Sequence, residues 1–303
     1  MQRVTESAYA KINLGLQIAG RRDDGYHDLV TVFQMVGPVD EVTVAPSQPG
    51  LHTRSTGPFR VRDDDRHLCA RAARLYCEAT GIQPAFDIFC RKYIPVGAGL
   101  GGGSSDAAAT LRALERMHGA GTNLEKIGAR IGSDVAFFMQ GGTALGTGRG
   151  EKLLHTPTVH STPVVLVKPK TGINTHGAYA LLTPDDFSDG ARTLELFCRL
   201  TAGDDPLELT ELMGNDFQAP IERAYPELTD VRLSIERAGA ARAMLAGSGS
   251  CVFGLFADST AAERCARELS EVGYWTYSTG MLHSMPSAGL RQHRNGAGHT
   301  NDG

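Results

Sequence analysis

Residues 95–109, P-V-G-A-G-L-G-G-G-S-S-D-A-A-A, constrain the folds open to this chain more than any other stretch. Five of the seven residues from 97 to 103 are glycine. Glycine suits backbone that must bend sharply or approach a ligand closely, because it has no Cβ to clash. Ser104 or Ser105 is placed to cap a helix, its short side-chain oxygen accepting from the free N–H groups of the first turn. Ala107, Leu111, Leu114 and His118 then recur at near-helical spacing, and Gly119 marks a stop. Before the loop, residues 86–90 alternate like a strand. Strand, glycine loop and helix N-terminus can together hold a phosphate chain, with backbone N–H groups and the positive end of a helix dipole. A flexible linker would also be glycine-rich, but it would not be entered by proline and leave directly into a helix former.

The loop is neither of the two commonest glycine motifs. No Lys-Ser or Lys-Thr pair stands where a Walker-type loop requires it. The dinucleotide fingerprint needs an acidic residue roughly 20 positions on, and Glu115 comes too early. The 303 residues, 41% hydrophobic and 21% charged, suffice for one large or two modest soluble domains. A net charge of −4 with mixed signs excludes the basic stripe of a general nucleic-acid binder. No apolar run approaches a membrane span, and the N-terminus has no apolar leader core, so a cytoplasmic protein is expected. The six cysteines contain no C-x-x-C pair and read as small buried hydrophobes in a reducing compartment.

Residues 7–18 alternate with period two, which predicts a half-buried strand carrying Lys11 and Asn13 side by side on one face. A solvent-facing edge with two ordinary polar groups would look the same. Asp24-Gly25 tips a turn, followed by strands at 29–36 and 41–45. Tyr26 and His27 just past it can stack on a flat heterocycle or simply pack on each other. Residues 46–66 read as a polar loop, 67–80 as a helix, and 124–131 as a short helix. Asp134 stands near a helix start, where capping is the commoner use of aspartate. Further on, 141–151 reads as strand and turn, 162–168 as a strand, 193–202 and 206–238 as helical. Residues 241–256 read as strand, glycine turn, strand; a helix at 260–272 and a strand at 274–279 follow. Irregular mixing of strands and helices predicts an α+β fold in two domains, 1–152 and 153–285, the last strand returning toward the first, with a mobile tail at 286–303.

Four separated stretches, A-K-I-N-L (10–14), the glycine loop, G-S-D-V-A-F-F (132–138) and L-A-G-S-G-S-C-V-F (245–253), occur together in this order. The set resembles the small-molecule kinases of the galactokinase, homoserine kinase, mevalonate kinase and phosphomevalonate kinase superfamily. R-R-D-D-G-Y-H (21–27), G-N-D-F-Q (214–218) and Y-P-E-L (225–228) narrow the resemblance to members acting on cytidine diphosphate methylerythritol, over residues 7–282. It implies a two-domain kinase fold, an N-terminal ATP-binding domain followed by a C-terminal α/β domain. It also implies ATP-dependent phosphorylation of the substrate's 2-hydroxyl, on the non-mevalonate route to isoprenoid precursors. Lys11 and Asp134 match the family's catalytic pair. Pro95, Val96, Gly97, Ala98, Gly99, Leu100, Gly101, Gly102, Gly103, Ser104 and Ser105 match its ATP-phosphate cradle. Lys92 and His67 fall near the adenine, where relatives commonly carry asparagine in place of His67. Asn13, Tyr26, His27 and Tyr179 match the substrate side, with cytosine expected between Tyr26 and Tyr179. Magnesium is implied as cofactor, with the hydroxyl of Ser105, or of Ser104, as a ligand. The partner implied is the small-molecule substrate, with no nucleic acid or membrane, in a monomer or homodimer. Another kinase or a decarboxylase of the superfamily, or a silent nucleotide binder, would share many of these residues.

Overall fold

The computed structural model describes residues 2–63, 67–157 and 160–285; the expected mobile tail lies outside the described residues. The chain opens with a long hairpin, β1 (Val4–Arg21) and β2 (His27–Pro46), turning at Gly25 with φ 84° as the Asp-Gly pair predicts. Next come β3 (Gly50–Thr56), α1 (Leu68–Thr80), β4 (Ala85–Arg91) and α2 (Gly102–His118). The first half ends with α3 (Leu124–Ile131), α4 (Ser133–Gln140), β5 (Thr143–Gly148) and β6 (Lys152–Thr156). The second half holds β7 (Pro163–Lys168), α5 (Thr175–Ala180), α6 (Ala191–Ala202), β8 (Gly214–Asn215), α7 (Gln218–Ala224) and α8 (Pro226–Arg237). It closes with β9 (Arg242–Leu245), β10 (Val252–Leu255), α9 (Ser259–Glu271) and β11 (Trp275–Gly280).

Two sheets result. The larger runs β3-β4-β2-β1-β8, with β5 also paired to β2 and β6 to β5; the smaller runs β11-β7-β10-β9. The α+β expectation holds, but the first sheet continues through Thr156 and takes in β8 from the second half. The chain also returns, since Met281 bridges Val36 and the Leu282 N–H donates to Met35. Among the described residues, no helix is long and apolar enough to cross a membrane.

Three further corrections have local causes. The span expected to be a polar loop contains β3, an edge strand parallel to β4, in which only Ser55 is buried. Its Thr53 and Thr56 suit a pleated, solvated edge. The expected helical span 206–238 is broken by β8. A Cβ on Gly214 would lie 2.1 Å from the Arg192 guanidinium, so the glycine marks a close approach there. Pro226 restarts the helix at a position where its missing N–H costs nothing. Finally, β1 is not half-buried: residues 8–18 are buried on both faces.

That double burial follows from the strand's place. Its even face passes through all three apolar cores. Ala8 packs with α1, α2 and α4; Ala10, Ile12 and Leu14 pack against β7 and β10; Leu16 and Ile18 join the core under α8 and α9. Its odd face carries polar groups that are each satisfied, Gln17 for instance accepting the Thr193 N–H at 2.8 Å. β1 is the spine of both domains. It delivers Lys11 and Asn13 to the cleft between them.

Candidate functional site

The glycine stretch crosses from β4 to α2 and is held along one side by each domain. Leu100 accepts the Lys11 N–H at 3.0 Å, and Ala98 accepts the Cys251 N–H at 3.1 Å. Helix α2 starts at Gly102, earlier than a serine cap would place it. Gly101, left-handed at φ 72°, is its N-cap and no side chain caps it; Ser104 and Ser105 lie inside the first turn. Glycine wins here on space: a Cβ on Gly101 would come within 2.9 Å of Phe138, and one on Gly102 within 2.9 Å of Ile94. With no serine oxygen across them, the first-turn N–H groups are left for a ligand. Ser104 lines the cleft, whereas Ser105 is fully buried with its hydroxyl unpartnered.

Lys11 and Asp134 face each other at 3.8 Å, too long for a hydrogen bond but close enough for a charge pair. The Lys11 ammonium instead donates to Asn13 Oδ1 at 2.8 Å. Asn13 Nδ2 donates to Thr31 Oγ1 at 2.7 Å, and Thr31 donates to the Gly15 carbonyl. This chain fixes the ammonium. Burial pulls the Lys11 pKa down, and the Asp134 charge opposes that pull. Asp134 does not cap α4: Gly132 is the N-cap and no side-chain cap bond is made. The carboxylate is therefore free for the cleft, at the positive end of a second uncapped helix.

Lys92 is not free to meet a base. Its ammonium, 2% exposed, donates to both Asp40 and Asp106. Asp40 also accepts the Tyr93 N–H and, at 2.8 Å, the Ile94 N–H. One buried carboxylate thus fastens the entry of the glycine loop, and Lys92 ties that entry to α2. Burial alone would lower the Lys92 pKa, but the carboxylates raise it above its ordinary value; burial pushes Asp106 up despite Lys92. Lys92→Met leaves these acids without their cation. It is expected to cost about 3–5 kcal/mol, read as a lower denaturation midpoint; unchanged stability would show the cluster to be energetically idle. His67, at the same end of the cleft, caps α1 by accepting the Cys69 N–H at 3.2 Å, and its Nε2 has no partner.

At the other end the aromatic groups meet differently from the expected sandwich. His27 stacks on Tyr179, with centroids 4.7 Å apart and planes 20° from parallel, and Phe217 meets Tyr179 edge-on. Tyr26, 56% exposed, carries the Arg149 guanidinium on its face. Burial pushes the Tyr179 hydroxyl up to about 12 and lowers the His27 pKa, favouring a neutral ring. These groups, Lys11, Asp134 and the glycine loop line one cleft of about 1710 Å³. Pockets for a single small ligand run to roughly 300–1,000 Å³, so this cleft has room for more than one.

Sequence reasoning missed several contributors. Asn215 donates to the Leu245 and Gly247 carbonyls at 2.9 and 2.8 Å, setting a second glycine turn against the first. A Cβ on Gly247 would lie 3.0 Å from the Lys11 ammonium. The motif G-N-D-F-Q signalled kinship without its mechanical role. Asp40 and Arg149 lie in stretches with no motif-level signal.

Comparison with known proteins gives a consistent picture. The GHMP kinases N terminal domain matches residues 67–142, and GHMP kinases C terminal matches residues 194–274. A 4-diphosphocytidyl-2-C-methyl-D-erythritol kinase of Moorella thermoacetica is 39% identical over 280 residues, covering 89% of this chain and 96% of its own. One from Solibacter usitatus is 40% identical over 276 residues, covering 87% and 84%. A crystal structure of 4-(cytidine 5'-diphospho)-2C-methyl-D-erythritol kinase superposes with TM-score 0.77 at 36% identity, covering 91% of this chain and 99% of that one. Homoserine kinase from Cytophaga hutchinsonii, at 16% identity and TM-score 0.71 over 93% and 95%, shares the fold.

Proposed function

The chain belongs to the 4-diphosphocytidyl-2-C-methyl-D-erythritol kinases of the GHMP family, and from that premise we propose how its cleft performs their reaction. The protein transfers the γ-phosphoryl group of ATP to the 2-hydroxyl of 4-diphosphocytidyl-2-C-methyl-D-erythritol, giving the 2-phosphate and ADP, in isoprenoid precursor synthesis. One observation carries the reading at the level of residues. Lys11 and Asp134 confront each other at 3.8 Å in a cleft also lined by the uncapped start of α2.

Phosphoryl transfer asks chiefly for positioning and charge stabilisation. The free N–H groups at the start of α2 hold the ATP phosphates, with His67 and Leu68 toward the base. The acceptor is a tertiary alcohol, weakly nucleophilic at neutral pH. Asp134 takes its proton as the new O–P bond forms, and Lys11 offsets negative charge on the oxygens. Asn13 keeps Lys11 aimed; His27 and Tyr179 present the surface for cytosine.

Magnesium suits the oxygen donors available, a class it prefers. Ser104, which lines the cleft, fits better than Ser105, whose hydroxyl is buried within α2. When bound with ATP, the ion supplies neutralisation of phosphate charge. We place the reaction in the cytoplasm, where ATP is supplied.

The test is an ADP-release assay with ATP, magnesium and the cytidine substrate, run beside mevalonate and homoserine. Release is expected with the cytidine substrate alone. Release with another alcohol would keep the phosphate site and overturn the substrate. ATP binding without release to any acceptor would make the protein a silent nucleotide binder.

A further inference from the structure

We propose that Arg149 grips the diphosphate of the cytidine substrate; this deepens the reading above and rests on it. A substrate with its base at His27 and Tyr179 and its hydroxyl at Asp134 must lay its diphosphate between them. Two acidic phosphates crossing a protein cleft call for a cation on the way. Of the basic side chains that line the cleft, Lys92 is held by Asp40 and Asp106, Arg130 pairs with Glu78, Arg71 donates to the Arg130 carbonyl and Lys11 faces Asp134, which leaves Arg21, Arg62 and Arg149.

Among the described residues none of these three makes an ion pair, and of the three Arg149 is the one stacked on an aromatic ring, over Tyr26 at 4.9 Å from the centroid. Its turn places it between the two ends. Gly148 and Gly150 flank it at φ 70° and 95°, and the Arg149 N–H donates to Glu151 at 2.7 Å, which tightens the turn. A Cβ on Gly150 would lie 3.7 Å from Ser133 Cβ, so the turn rests on the start of α4 one residue before Asp134. One side of Arg149 is therefore Tyr26, next to His27; the other is the helix that carries the acceptor's carboxylate. A guanidinium stacked on an aromatic keeps its in-plane N–H donors free, the geometry that suits two phosphate oxygens.

Calorimetry on wild type, Arg149→Gln and Arg149→Lys tests this with two probes, CDP and cytidine, beside steady-state KM values. Losing a charge-assisted bond to phosphate weakens CDP binding about 10–100-fold. Arg149→Gln is expected to show that loss, with cytidine and ATP binding unchanged, and Arg149→Lys to recover part of it. An equal loss for cytidine would mean that Arg149 only props Tyr26 against the base, and would overturn the proposal. So would unchanged CDP binding. Retained ATP binding distinguishes either result from misfolding. Failure of the wild type to phosphorylate the cytidine substrate would instead strike the functional reading, since the CDP comparison needs no turnover.

Discussion

Asp134→Asn lowers turnover about 10²–10⁴-fold, the range for loss of a general base, while the KM for ATP stays near that of the wild type. Asp134 makes no cap bond and no hydrogen bond to Lys11, and its side chain is 32% exposed into the cleft. Its loss removes the charge that offsets the burial of Lys11, which the melting curve reads, but it also removes the acceptor's proton sink, and that larger loss falls on the chemical step. The ATP phosphates are assigned to a different helix start, that of α2, which is why their binding should not follow. Steady-state kinetics with both substrates varied, alongside a melting curve, reads the two effects apart. Turnover within a few-fold of wild type would remove Asp134 from the proton path. A large rise in the ATP KM would instead make it part of the nucleotide site.

Gly99→Ala is the second large effect expected. Gly99 has φ 75°, and a Cβ there would sit 1.9 Å from the Ala246 carbonyl oxygen and 3.1 Å from the Gly249 nitrogen. Both neighbours are backbone, so neither can rotate away. The left-handed strain of about 1–2 kcal/mol adds to an overpacking cost of about 1–3 kcal/mol. The two glycine turns must separate, and a displacement near 1 Å in a site that works by positioning costs about 10²-fold in rate. Gly119→Ala is the matched control. It has φ 62° and nothing within 4 Å, so it carries the backbone strain without the collision. Should the two variants melt together and turn over alike, the seam between the glycine turns would have no bearing on catalysis.

What could be read in advance divides along physical lines. The glycine loop was legible because its information is local: only residues without a Cβ tolerate those turns, and they are consecutive in the chain. Lys11 and Asn13 were legible as a pair because a strand has period two. Which strand covers which was not. β1 was expected to be half-buried because alternation looks the same whether the polar face meets water or a cleft of fixed polar groups. The start of α2 was misplaced for a related reason. A serine after glycine advertises a cap, but the glycine itself took the position and left the N–H groups open. Lys92 drew attention through kinship and proved to be held by Asp40, 52 residues earlier in the chain. Partnerships of that separation leave no periodic trace, and β8 is too short to leave one.

The spine strand also sets the order in which the molecule can be completed during synthesis. Gly15 and Leu16 pair in parallel with Gly214 and Asn215, and the Ile18 N–H donates to Asp216 at 2.8 Å. These partners leave the ribosome about 200 residues after β1, which at ordinary elongation rates is roughly 10–40 s. Through that interval one edge of the central strand has no mate, and the apolar side chains meant for β10 wait longer still. An open edge of this kind is a template for association with other chains. The nascent polypeptide thus carries this open edge from the start and closes it only when β8 has been made.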